Sequence, residues 1–440
     1  MPGILNTVKV VRYYLLIPLT LIFIFSCKKE KKDETPPVIT MHLPLSGAHY
    51  NMFDTIRIAA HFSDETKLTT AEITLRDMNG NPVQSSITAT LSGTTYDLTT
   101  EMELYEFRLP SGTYNLEVVV NDGENVGIKT TAISITESPL LKKGYYFVTK
   151  NGSQHIYTKA DTNYVSTASI NLNGTFVGSS ISTYYQNLYV ASSANQSFKT
   201  IDISTGITKW TLANASTGAT LTACTTDGKN VFLGKDDGNI YKYNKDGTIV
   251  RSYNSDEMTY YVKSIFYCGD YVVAGLADFT STTKKTVVFE SSTGIVKKVI
   301  LNTNLKSAFV KSAGELYLVS NNQQGKAVVE VLTVSGGGLN EVLDLGTYTV
   351  YSACMINSNT LLVATSDNNV YYYQYNTNTF LTVLTGMPAF KMSYSPVFNK
   401  LYLSSYKDFH TYTVSSFALS QQTNYTHNDT IQDFQVIFNK

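Results

Sequence analysis

The final 300 or so residues of this chain repeat one short apolar strand seven times, and that recurrence constrains the fold more than any other feature. The strand is written Gly144-Tyr-Tyr-Phe-Val148, Asn187-Leu-Tyr-Val-Ala191, Asn230-Val-Phe-Leu-Gly234 and Asp270-Tyr-Val-Val-Ala274. It returns as Glu315-Leu-Tyr-Leu-Val319, Thr360-Leu-Leu-Val-Ala364 and Lys400-Leu-Tyr-Leu-Ser404. Successive copies lie roughly 40 to 45 residues apart, the period of a β-propeller blade. A propeller is a scaffold for unrelated activities, so the repeat constrains the fold without naming a function.

The rest of the repeat agrees. The third copy reads Leu221 to Cys224, Asn230 to Gly234, Asn239 to Tyr243 and Thr248 to Ser252, with turns at Asp227-Gly228, Asp237-Gly238 and Asp246-Gly247. Asp-Gly marks a tight hairpin because glycine accepts a positive φ at little cost, and four such strands make one blade. The first copy starts at its second strand and lacks an inner one. Residues 431–438 (Ile431 to Phe438) supply an equivalent segment at the other end of the chain. The arrangement predicts a ring closed by the C-terminal strand.

At 440 residues the chain exceeds one ordinary core, and its 43% hydrophobic content is enough for two. The net charge of −1 provides no field for nucleic acid, which is excluded as a partner. Of four cysteines, Cys27 belongs to a targeting segment. Cys224, Cys268 and Cys354 form no CxxC pair and no Cys/His cluster, so zinc and redox readings have no support. Cys224 and Cys354 each precede their anchor strand by the same distance, which predicts equivalent places in separate blades and buried packing roles.

Residues 1–26 have the build of a secretory signal, with Lys9 and Arg12 ahead of an apolar run too short to span a bilayer comfortably. Ile24-Phe-Ser-Cys27 resembles the bacterial lipobox, with Phe25 larger than the usual residue. The resemblance implies acylation of Cys27 and a membrane partner held through lipid such as palmitate. Residues 27–37 then form a charged, proline-ended tether expected to stay solvated. Charges directly after the cysteine resemble the export signals of Bacteroidetes surface lipoproteins. That implies the outer membrane, with the cell surface favoured over the periplasmic face.

Residues 38–137 alternate apolar and polar positions with period two, as in Thr55 to Phe62, Ala71 to Leu75 and Tyr114 to Val120. About seven short strands in so few residues predict a sandwich. Thr35-Pro-Pro-Val-Ile39, the stretch from Phe107 to Tyr114 and the turn Val120-Asn-Asp-Gly-Glu-Asn125 resemble bacterial immunoglobulin-like modules. Cadherin-like relatives of such modules bind calcium, which would single out Asp64, Glu65, Asp122 and Glu124. Their spacing matches no dedicated loop; they read as solvated turn residues, and no metal is assigned. His42, His49 and His61 read as surface or edge residues.

In the repeat region, Thr200 to Trp210 resembles the quinoprotein-like propeller repeat, in which an aspartate, a Thr-Gly turn and a tryptophan dock neighbouring blades. The quinone-binding residues of those enzymes are missing, and no cofactor is assigned. No HExxH, GxSxG, Walker or dinucleotide motif occurs. Tyr371, Tyr373 and Tyr375 share one strand face, with Tyr372 on the other, which suggests either a sugar-stacking platform or inter-blade packing.

The loops entering each inner strand carry the candidate ligand-binding residues Asp256, Glu257, Tyr260, Tyr348, Tyr351, Phe390, His427 and Asp429. The expected class is therefore all-β: an N-terminal Ig-like β-sandwich followed by a seven-bladed β-propeller over 142–440, closed by the C-terminal strand. The expected function is a monomeric, non-catalytic binding or scaffolding module whose loop face captures a protein or glycan. Two other readings share these residues: a periplasm-facing assembly scaffold, and a propeller enzyme acting on polysaccharide.

Overall fold

Period-two patterning folds as its physics requires. A computed structural model describes residues 33–106, 108–172, 174–193, 198–212, 219–255 and 259–440, and every regular element in them is a strand. The proposed signal, Cys27, and the candidates Asp256 and Glu257 lie outside the described residues. The chain divides into two units between Pro139 and Leu140.

In the first unit, strands Val38–Leu43, Thr55–Ser63 and Thr95–Glu103 make one sheet. The other sheet runs, in spatial order, Ala48–Asn51, Val126–Thr136, Gly112–Asn121, Thr70–Arg76 and Ile87–Thr90. Ala48–Asn51 lies parallel to its neighbour and the remaining pairs are antiparallel. Alternate residues from both sheets meet in a single core: Ile56, Ile58 and Phe62 from one, Ile73, Leu116 and Val118 from the other. The Tyr114 hydroxyl donates to the Pro110 carbonyl at 2.8 Å, pinning the corner that leads into the Gly112–Asn121 strand.

The end of the tether departs from expectation. Asp33 is not free in solvent. Its backbone N–H donates to Glu124 and its carbonyl accepts from the Asn125 side chain at 3.1 Å. Gly127 passes so close to Pro37 that a Cβ there would sit 2.2 Å from the Pro37 carbonyl oxygen. Polar side chains and a glycine dock this segment where composition alone suggests a free linker.

Among the described residues the second unit holds seven four-stranded antiparallel sheets, numbered 1 to 7 here in chain order. Each of sheets 2 to 7 is a simple meander; sheet 3, for instance, runs Leu221–Thr226, Val231–Lys235, Asn239–Tyr243 and Ile249–Asn254. The recurrent apolar strand is the second of each sheet and is buried nearly throughout, because both of its faces pack against neighbouring sheets. The first strands of successive sheets touch one another in sequence, from Phe176–Ser182 through Tyr260–Cys268 and Asn304–Ser312 to Lys391–Ser395. This is the β-propeller architecture.

Sheet 1 takes its strands from both ends of the unit. Lys142–Asn151, Gln154–Ala160 and Ser166–Leu172 are joined by Thr430–Phe438, which pairs antiparallel with Lys142–Asn151. The C-terminal strand therefore occupies the inner position that the repeat pattern assigns to it. It buries Ile431, Phe434, Val436 and Ile437. Asp433 is 6% exposed and ion-pairs with Lys391 of sheet 7, while Ser179 of sheet 2 donates to it at 2.5 Å. Gln435 adds a bond to the Ser179 carbonyl at 3.0 Å. One carboxylate thus ties the closing strand to the sheets on both sides.

Trp210, at the outer strand of sheet 2, reaches sheet 3. Its indole N–H donates to the Lys245 carbonyl at 2.8 Å, and its ring lies 4.9 Å from Phe198 and 5.9 Å from Tyr243. Gly247, at φ 84°, lies directly beneath it, and a Cβ there would stand 2.9 Å from the indole. Inter-sheet docking is also the fate of the tyrosine run. Tyr371 and Tyr373 pack on one side of sheet 6 and Tyr372 on the other, all three at 8% exposure or less. Burial removes them as a sugar platform.

Removal of residues 430–440 is expected to unfold the second unit cooperatively. Each buried aliphatic or aromatic side chain on the strand contributes about 1.5–3 kcal/mol, and four of them approach the whole 5–15 kcal/mol margin of a typical domain. Asp433→Ala leaves the Lys391 ammonium unpaired, for a loss of about 3 kcal/mol given that lysine's partial exposure. Thermal and urea unfolding, followed by Trp210 fluorescence, measure both; a variant truncated before Thr430 that keeps the parent midpoint would refute ring closure by this strand.

Candidate functional site

Antiparallel order fixes which segments share an end of the ring. The loops entering the first strands lie beside the turns between second and third strands. Within this face the sequence candidates fall into separate groups.

Tyr351 and Phe390 meet, with ring centroids 5.1 Å apart, and Phe390 meets Tyr406 at 4.9 Å. Phe390 is 37% and Tyr406 58% exposed, so the three rings form an accessible aromatic strip from sheet 6 to sheet 7. Tyr351 lies within the inner strand Val350–Asn357 and not in a loop. At a β-bulge between Val350 and Ser352 it is half-buried, packed in part against the core between sheets 6 and 7 and in part open to solvent. Tyr406 escaped the sequence reading. It sits at φ 49° in the turn of Ser405-Tyr-Lys-Asp408, between second and third strands, and counting that turn onto the loop face would have found it.

His427 and Asp429 form a second group. The Asp429 N–H donates to His427 Nδ1 at 2.9 Å, and burial presses the imidazole below its ordinary value despite Asp429 nearby. The ring is therefore neutral at pH 7 and serves as an acceptor within its own turn. Tyr260 opens the inner strand of sheet 4 beneath the buried Lys285, whose Nζ lies 4.0 Å from the ring centroid. Tyr348 is 40% exposed in the loop before sheet 6. The six described candidates thus fall in separate groups.

The cavity on this face lies elsewhere. A cleft of about 580 Å³ is lined by Thr282, Thr283, Lys284, Asn302, Asn304, Asn321, Asn322, Gln323, Gly325 and Thr349. None of these is aromatic or acidic. No catalytic motif or aromatic run marks it in the sequence: its amides come from the segment entering sheet 5 and from the turn between that sheet's second and third strands.

In the first unit, acids converge beyond expectation. Ligand oxygens of Asp33, Asp64 and Asp122 lie within 4.8 Å of one another. Asp122 is 1% exposed and is not a solvated turn residue; Glu124 and Asn125 N–H groups donate to it at 2.5 and 2.6 Å. Asp64 accepts from Thr66 and Lys67 N–H groups through one oxygen, while its other oxygen is buried without a hydrogen bond. These are the donors a hard cation would use. Glu65 is exposed and stands outside the group. His61 contacts Asp97 at 2.7 Å at the surface, and His49 Nδ1 contacts the Ser134 hydroxyl at 3.0 Å.

The three described cysteines are free. Cys224 and Cys354 are not register equivalents: Cys224 faces Leu233, the third residue of the repeated strand from Val231, and Cys354 faces Leu362, the second from Leu361. The connecting turns differ in length, and that shifts the count. Burial pushes all three thiols from 9.0 up to about 12.

No protein-family model and no curated protein matches the chain. Among solved structures, a chain of a mitotic checkpoint complex aligns with 59% of this chain and 80% of its own, at 14% identity and a TM-score of 0.47. The U3-55K structure aligns over 58% and 83%, at 10% identity and 0.45. BamB from Moraxella catarrhalis aligns over 66% and 90%, at 14% and 0.42. The architecture stated above rests on strand pairing and not on these likenesses.

The thiols are expected to resist N-ethylmaleimide at pH 7 in the native protein and to react on denaturation, because the thiolate is the nucleophile. Their raised values also carry a sign. Stability from holding them neutral is complete below the free value of 9.0 and is lost as pH rises toward 12. Labelling of native protein at rates typical of free cysteine would refute the buried assignment.

Proposed function

We propose that this chain is a lipid-anchored envelope protein whose second unit is a seven-bladed propeller, acting as a non-catalytic capture module through its loop face. The observation that carries the reading is the exposed strip of Tyr351, Phe390 and Tyr406. Burying three large rings between sheets would be favourable, and the sequence does so with Tyr371 to Tyr373. Here Phe390 and Tyr406 stay exposed beside a half-buried Tyr351, in the manner of aromatic anchors at interfaces.

The first unit fits the role of an immunoglobulin-like stalk, with two sheets on one core and a tyrosine corner at Tyr114. Acylation at Cys27 would hold it to the membrane. A single acyl chain binds reversibly, whereas several give lasting attachment, so the anchor requires more than one.

The test is capture by the full chain in cells that express it. Proteinase K on intact cells reports the membrane side, and Cys27→Ser is expected to move the protein to the soluble fraction and abolish palmitate labelling. The purified parent and the double variant F390A/Y406A are then compared as baits against envelope proteins and a glycan array. Loss of two anchors predicts at least a tenfold drop in the captured ligand, with an unchanged melting temperature. Equal capture by the double variant would overturn the assignment of the loop face.

A further inference from the structure

The cleft between sheets 4 and 5 has a chemistry of its own, and it deepens the loop-face reading on which it rests. Six of the seven inner strands carry a one-residue bulge near their start, at Val177, Thr222, Lys263, Lys306, Tyr351 and Gln432. Residues beside the bulges, such as Val262, Leu305 and Val350, are buried, while the bulged side chains keep access to solvent. In neighbouring sheets 4 and 5 the bulged residue is a lysine both times. Lys284 joins them from the third strand of sheet 4, in the wall of the cleft.

Among the described residues no carboxylate pairs with Lys263, Lys284 or Lys306. Burial lowers Lys263 and Lys306, and each feels further charge: Lys263 from both other lysines and Lys306 from Lys284. Lys263 Nζ donates to Asn304 Oδ1 at 3.3 Å, which links the bulge to the cleft wall.

The amides complete the pattern. Asn304 spends its oxygen on Lys263. Asn321, 6% exposed, spends its oxygen on the Val350 N–H at 2.9 Å. Asn322 Oδ1 accepts from the N–H groups of Gln324 and Lys326, both at 3.0 Å. Each carboxamide keeps its NH₂ group to donate, both lone pairs of the Asn322 oxygen are taken, and an ammonium has no acceptor at all. Three amides and three lysines therefore offer hydrogen-bond donors and positive charge, with no acid among the described lining residues.

We infer that this cleft binds an acidic oligosaccharide, with Lys284 in its wall, Lys263 and Lys306 on the adjoining inner strands, and asparagine NH₂ groups holding the carboxylate or sulfate of the sugar. The donor set matches an oxyanion's lone pairs, and Thr282, Thr283, Gln323 and Thr349 supply the mixed donors and acceptors that sugar hydroxyls need. A volume near 580 Å³ takes a few sugar rings. An acidic peptide fits less well, because its apolar parts would meet no apolar side chain: the described lining is threonine, carboxamide, lysine and glycine.

Calorimetric titration of the full chain tests this with four probes: tri-galacturonate, a sulfated chondroitin tetrasaccharide, uncharged maltotriose and hexaglutamate. Binding of either acidic sugar is expected, weakening with salt, and the tighter of the two identifies the oxyanion. K284Q and the double variant K263Q/K306Q are expected to weaken it about tenfold per lysine, with K284R retaining most of the affinity. Melting temperatures show that the variants are folded. The inference falls if maltotriose binds as tightly, if hexaglutamate binds as tightly or more so, or if folded glutamine variants bind like the parent. If the lysine variants change nothing while F390A/Y406A loses capture, the loop-face reading stands and only the acidic-sugar assignment fails.

Discussion

The pairing of Thr430–Phe438 with Lys142–Asn151 is the contact on which the second unit depends. Every other sheet is built from consecutive strands and needs only local turns. Sheet 1 alone requires the chain to bring residues almost 300 positions apart into register, as the Leu141 N–H bond to the Asn439 side chain shows. Such a contact is entropically late and holds little by itself until its neighbours are in place. Its inner edge is accordingly reinforced with charge. Asp433 takes a hydroxyl from sheet 2 and an ammonium from sheet 7, so the ring is drawn shut from both sides at one buried carboxylate. The ion pair is less a source of net stability than a specification of register, since a strand slipped by one residue would point Asp433 away from both partners.

Closure has a consequence for the rim. Once seven sheets pack face to face, the faces of the second and third strands are committed to burial, and side chains are free to vary only at edges and turns. The inner-strand bulges resolve this constraint. Each adds one residue on the inner edge, and that residue keeps access to solvent while Val262, Leu305 or Val350 beside it stays buried. Varied chemistry follows from one backbone device: valine, threonine, glutamine, tyrosine and two lysines occupy the same structural place.

Much of this is legible in the sequence, for identifiable reasons. The second strands are apolar on both faces and sit between turn residues, so the repeat advertises itself. Asp-Gly turns mark the hairpins, and the incomplete first copy points to the C-terminal strand. The split of Tyr371 and Tyr373 from Tyr372 follows from period two. What stays hidden depends on contacts that no spacing reports. The docking of Asp33 against Asp64 and Asp122 joins three segments distant in sequence. The cleft amides come from the segment entering sheet 5 and a later turn of the same sheet, and which of their oxygens are engaged emerges only from the contacts. Bulges are invisible for a similar reason, since one extra residue does not disturb a loose 40-residue period. The same looseness makes Cys224 and Cys354 look equivalent when their registers differ by one.

The two chemistries of the loop face are neighbours. Thr349, just before the inner strand of sheet 6, lines the cationic cleft, and Tyr351, two residues on within that strand, begins the aromatic strip. A ligand lying along this arc would meet lysines and amides at sheets 4 and 5, then rings at sheets 6 and 7. Charge gives reach and orientation, with strength that salt erodes, while aromatic contact gives short-range affinity that salt hardly affects. An extended acidic chain with apolar sugar faces suits both halves at once, and a compact ion suits only the first. The arrangement therefore favours a ligand longer than either site, held at two points on a frame whose rigidity comes from the closed ring.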